Sequence, residues 1–127
     1  MPVNTRVDEA MQLGIQELLG QLTVADIVAA QRRLYIALGF DPSGPCLWDA
    51  TGGKVAPGME VGDMQQAVTH SEDLWERMSG GKTAILVGSE ADFGMGRMYQ
   101  QLASNMPREI RVFTARDEAL HWLLDLE

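Results

Sequence analysis

The most constraining feature of this sequence is an alternation of short apolar runs with amphipathic segments. It begins after an opening pair of strand-like stretches and continues to the end of the chain. Val3, Thr5 and Val7 fall on one face at period two, as do Leu13, Ile15, Glu17 and Leu19. The short polar gap at Asp8, Glu9 and Ala10 predicts a hairpin between them. Thr23 and Asp26 form a Thr-x-x-Asp capping box, followed by Val24, Ile27, Val28, Leu34, Tyr35 and Leu38 at helical spacing. Gly39 is where that helix should stop.

"CLWDA" (46–50) reads as a buried strand, and 51–62 as a glycine-rich loop. Asp63 is placed to cap a second helix running to Met78 and ended by Gly80 and Gly81. "TAILVG" is a buried strand. Met95, Met98, Tyr99 and Leu102 mark a third helix, "EIRVFT" a last strand, and a Thr114–Asp117 box a fourth helix. The order is β-β-α-β-α-β-α-β-α. Strands alternating with helices imply an α/β fold with a mainly parallel sheet, made mixed by the first hairpin. At 127 residues, with no linker or repeat, residues 1–127 are expected to form a single domain.

Two stretches imitate nucleotide-binding motifs. Gly81-Lys82-Thr83 matches the tail of a P-loop, but the required first glycine falls on Glu76, and the order is inverted, with a helix before and a strand after. Gly94-Met95-Gly96 lies between a strand and a helix, but the third glycine of a dinucleotide fingerprint falls on Tyr99. No nucleotide cofactor is expected from either. The net charge of −8, from 10 basic and 18 acidic residues, repels nucleic acid and anionic bilayers. No run approaches the roughly 18 apolar residues of a membrane span, and the opening residues lack the apolar core of a signal peptide. The expectation is a cytoplasmic protein in which the one cysteine, Cys46, is a buried thiol.

Three stretches, "GQLTVADIV" (20–28), "LWDA" (47–50) and "TAILVGSEADFGMGRMYQ…EIRVFTARDEALHWL" (83–123), resemble the SpoIIAA-like family, whose fold is related to STAS domains. The resemblance covers nearly the whole chain from Gly20 onward. It implies a SpoIIAA/STAS-like mixed sheet of four or five strands with helices packed on it. STAS domains that antagonise anti-sigma factors carry a phosphorylatable serine or threonine at the start of the helix after the third strand. Residues 56–66, "APGMEVGDMQQ", hold no hydroxyl residue, so that phospho-switch is missing here. Relatives imply small bacterial cytoplasmic proteins that bind apolar or lipid-like ligands and associate with membranes peripherally, the latter opposed by the negative charge.

Ligands of open α/β sheets bind outside the carboxyl ends of the parallel strands. The polar groups expected there are Asp49, Thr51, Ser89, Asp92 and Arg97, with an Arg97–Asp49 ion pair as the structural explanation of Arg97. Methionine fills irregular spaces and lines adaptable surfaces, and Met59, Met64 and Met95 cluster near the second and third helices. The candidate ligand site is therefore Asp49, Thr51, Met59, Met64, Ser89, Met95 and Arg97, with the 51–62 segment as a lid. His70 and His121 read as surface residues, the latter between Asp117 and Asp125, so no metal site and no catalytic set is expected. The predicted function is non-enzymatic binding of an apolar or lipid-like small molecule by a monomer or homodimer. The alternative is a protein–protein regulator that docks a partner on the same surface.

Overall fold

The computed structural model describes residues 3–35, 40–41, 43–55, 61–70, 72–76 and 79–125. A five-stranded sheet runs in the order β1 (Val3–Asp8), β2 (Leu13–Leu22), β3 (Cys46–Val55), β4 (Lys82–Leu86), β5 (Glu109–Phe113). β1 is antiparallel to β2, and β2 through β5 are parallel. Four helices connect or follow them: α1 (Val24–Tyr35), α2 (Val61–Thr69), α3 (Glu90–Leu102) and α4 (Arg116–Leu124). The architecture is the mixed α/β order read from the sequence.

The two faces of the sheet carry separate cores. On one, Leu18, Cys46, Trp48 and Ile85 pack beneath α1, α2 and α3. On the other, Leu13, Ile15, Leu47, Ala84 and Leu86 pack against Ala119 and Leu123 of α4. Strand alternation explains the split, since successive side chains point to opposite faces. Gln16 is fully buried where alternation alone predicts an outward residue. Its amide accepts from the Thr5 hydroxyl at 2.6 Å and donates to the Ala30 carbonyl of α1, so both ends are satisfied.

The Thr23–Asp26 box forms with both reciprocal bonds, Asp26 N–H to Thr23 Oγ1 at 3.2 Å and Thr23 N–H to Asp26 Oδ2 at 3.0 Å. Three other expectations are corrected. The second helix does not run to Met78: α2 ends at Thr69 and a separate 3-10 turn follows at Glu72–Leu74. Arg32 of α1 holds that break, bonding the His70 carbonyl at 2.9 Å and the Asp73 carboxylate at 2.8 and 2.9 Å. The Thr114–Asp117 box does not form, because the helix cap falls one residue on, at Ala115, and no side chain closes it. Residues 51–55 are strand rather than loop, with 52–55 paired to Leu19–Leu22 of β2. Of the rest of the expected lid, Val61 and Gly62 open α2, and 56–60 lie outside the described residues, as does Gly39.

Both nucleotide-like motifs have packing explanations. A Cβ on Gly81 would lie 2.1 Å from Arg108 Nη1 and 2.7 Å from the Ser43 carbonyl oxygen. Lys82 reaches the carboxyl end of α4, donating to the Trp122 carbonyl at 3.0 Å and to Asp125 at 2.7 Å. A Cβ on Gly96 would meet Val112 Cγ1 at 2.9 Å, so this glycine lets α3 lie close on β5.

Candidate functional site

The predicted site residues do not form one cluster. Asp49 shares the α4 side with Leu47, two residues before it in β3. At its position the β2–β3 register slips, Glu17 pairing with Asp49 but Leu19 with Gly52. The extra residue makes a bulge. Asp49 Oδ1 closes it, accepting from the Thr51 amide at 3.0 Å and the Thr51 hydroxyl at 2.6 Å. Its other oxygen accepts from Arg116 at the start of α4. Burial pushes the Asp49 carboxyl up, but the Thr51 hydroxyl and amide and the Arg116 charge outweigh it and hold the group below its ordinary value.

The expected Arg97–Asp49 pair is thus an Arg116–Asp49 pair. Arg97 is on α3, across the sheet from Asp49, exposed, with its guanidinium 6.0 Å from the centre of the Phe93 ring. Ser89 caps α3, its hydroxyl accepting from the Asp92 amide at 3.2 Å. Met59 lies outside the described residues, and of Met64 only its place on α2 is described.

Among the described residues of that candidate set, Met95 is the one that lines the cavity between α1, α3 and the sheet. This cavity has a volume of about 110 Å³. Leu18, Ile27, Trp48, Ile85 and Met95 give it an apolar wall. Several of these, Ile27, Ile85 and Met95 among them, are only half-buried, so the cavity is reachable from outside. Asp92 is the one charged group among the described lining residues.

Two polar side chains that sequence reasoning passed over stand in that wall. Gln31 of α1 is 5 % exposed, and its Nε2 donates to the Tyr99 hydroxyl of α3 at 2.9 Å. Its Oε1 is buried and has no hydrogen-bond partner, alone in this among the described side chains. Burial pushes the Tyr99 phenol up to about 12, so it stays neutral at physiological pH. The signal was present: Gln31 is polar on the helical face shared by Ile27 and Leu34, and Tyr99 stands among apolar neighbours.

Other ionisable groups are already occupied. Arg108 is buried, donating to Thr83 Oγ1 and to the Lys82 and Gly44 carbonyls while stacking 5.5 Å over the Tyr35 ring. Cys46 is buried and burial pushes its thiol up to about 11. Asp49 and Asp92 stand on opposite faces, and His70 and His121 are exposed, so no acid–histidine set converges among the described residues. Among them, too, no group of three or more His, Cys, Asp or Glu could hold a metal. None of the described helices is long and apolar enough to cross a membrane.

No family model matches this sequence, and no curated protein does. Among solved structures, the chain resembles an uncharacterized DUF3478-family protein with a SpoIIAA-like fold from Shewanella loihica PV-4. The TM-score is 0.58 at 18 % identity, covering 95 % of this chain and 91 % of the other. The fold is SpoIIAA-like. Within that SpoIIAA-like frame, the α1–α3 cavity is an apolar concave feature, while the Asp49–Arg116 cluster is a closed brace between β3 and α4.

Proposed function

We propose that this chain is a single, non-enzymatic, cytoplasmic binding domain that takes an apolar or lipid-like small molecule into the cavity between α1, α3 and the sheet. The observation that carries this reading is the cavity itself, about 110 Å³ of mostly apolar wall that the folded chain leaves unfilled. A dry cavity of about 150 Å³ is enough to bind benzene. At about 110 Å³ this cavity is smaller, so the buried part of the ligand is at most about the size of one ring or a short alkyl chain, with any remainder leaving by the half-buried side. Met95 lines the wall and adapts to shape, as methionine does at permissive binding surfaces.

The direct test is native mass spectrometry of gently purified protein, before and after denaturing extraction. A co-purified apolar small molecule, displaced by enlarging Ala50 of the lining to Leu, is the expected result. A bare chain that gains no thermal stability from a panel of small apolar compounds would overturn the reading and move the weight to a protein partner.

A further inference from the structure

The cavity is not uniformly apolar, and one unpartnered polar atom in its described wall has a definite chemistry. A buried amide oxygen without a partner costs about 1–3 kcal/mol. Gln31 Oε1 is such an atom, in a side chain that lines the cavity. One hydrogen of its amide nitrogen is committed to the Tyr99 oxygen. In that arrangement the pair offers an unfilled acceptor, Gln31 Oε1, and a hydroxyl proton on Tyr99 that can be donated. Turned half a rotation, the Gln31 amide would accept the Tyr99 proton instead. The unfilled positions would then be both Gln31 N–H groups and a Tyr99 lone pair. In both orientations the pair presents at least one donor and one acceptor, carries no charge, and has no third group among the described residues to complete it.

Resting on the binding role proposed above, we infer that Gln31 and Tyr99 select ligands whose apolar body carries a neutral head group able both to donate and to accept a hydrogen bond, such as a hydroxyl or a primary amide. An anionic head is disfavoured by two features of the same wall. No cation is among the described lining residues, and the Asp92 carboxylate stands at its edge. Burying an ionised carboxylate or phosphate against so few neutral donors leaves most of its hydration unreplaced, at a heavy cost in affinity. Tyr99 remains a neutral donor through the physiological range, so the selection does not depend on pH there.

Four probes of matched shape test this by calorimetry or thermal shift on the full chain. Toluene and phenol differ by methyl for hydroxyl, and benzamide and benzoate by charge. The expected result is phenol bound about tenfold tighter than toluene, which corresponds to one satisfied hydrogen bond of about 1.4 kcal/mol. Benzamide should bind and benzoate should bind at least tenfold more weakly. Gln31→Leu and Tyr99→Phe should each reverse the toluene–phenol order. Toluene binding as well as phenol to the unaltered protein would overturn the selection while leaving the binding role intact, and needs no variant to fold. A ranking unchanged in both variants would do the same. Failure of all four probes to bind would overturn the binding role itself, and the selection with it.

Discussion

The two faces of the sheet solve the same packing problem with different completeness. On the α4 face one short helix covers the strands, and its edges are closed by charge. Lys82 joins Trp122 and Asp125, Arg111 stacks 5.3 Å over the Trp122 ring, and Arg116 joins Asp49. On the other face three helices share the cover, α1 and α3 bridged by the Gln31–Tyr99 bond, and a cavity remains between them. One helix can be braced to a sheet at its ends. Helices that meet over the middle of a sheet must also mesh with each other, and here Gly96 draws α3 down on β5 while the space toward α1 stays open.

Adjacent residues of β4 give the widest separation of the two faces. Leu86 is 1 % exposed and packs under α4, whereas Ile85 points into the cavity wall. Leu86→Ala should cost about 3–4 kcal/mol, from lost transfer energy and a new void. Ile85→Ala should cost about 1–2 kcal/mol, because its side chain already lacks neighbours on one side. Urea denaturation of both variants measures the difference. Equal losses would mean that the cavity is closed in solution and that the two faces are equally well packed.

The helix α3 offers a finer contrast between two glycines of one motif. A methyl on Gly96 meets Val112, while Gly94 has nothing within 4 Å. Gly96→Ala should lose about 1–2 kcal/mol by lifting the helix from β5. Gly94→Ala should gain about 0.5–1 kcal/mol from helix propensity alone. Thermal melts of the two single variants should therefore move in opposite directions. Shifts of the same sign would mean that α3 does not rest on β5 as closely as this geometry requires.

Element order follows from periodicity and caps, and the Thr23–Asp26 box is visible three residues apart. Apart from the Thr114–Asp117 box, whose cap shifts by one residue, the failures lie where long-range contacts decide. α2 stops at Thr69 because Arg32, distant in sequence, captures the His70 carbonyl and Asp73. Residues 51–55 look like a loop from their glycines, yet they are strand because β2 continues beside them. Asp49 and Arg97 both belong near the carboxyl ends of strands, but face is lost in that reasoning: Asp49 is turned to α4 and Arg97 rides on α3. Arg116, its true partner, is 67 residues away and lay outside the candidate set. Gln31 and Tyr99 are 68 residues apart, and no local pattern joins them.

The smallest expected effect concerns the brace on the closed face. The Asp49 carboxyl is held below its ordinary value in the folded chain. A depressed folded value means that the stabilisation is present above the unfolded value of about 3.9 and is lost as pH falls through the folded one. Arg116→Gln removes one of the interactions that hold the group down, so the Asp49 titration should rise and the acid limb of stability should begin at higher pH. At pH 7 the loss should stay under about 1 kcal/mol, because the Arg116 side chain is 49 % exposed and its charge is screened by water and salt. As pH falls through the parent's own folded value the two proteins should converge, since both then carry a protonated Asp49. Thr51→Val should shift the limb in the same direction, as it removes the hydroxyl bond to the same carboxylate. Melting curves from pH 7 down to about pH 2.5, spanning the carboxylate range, make the comparison at low and high salt. An Arg116→Gln deficit that persists undiminished at the acid end would show that Arg116 stabilises by packing rather than by charge, and that this face is closed without its ion pair.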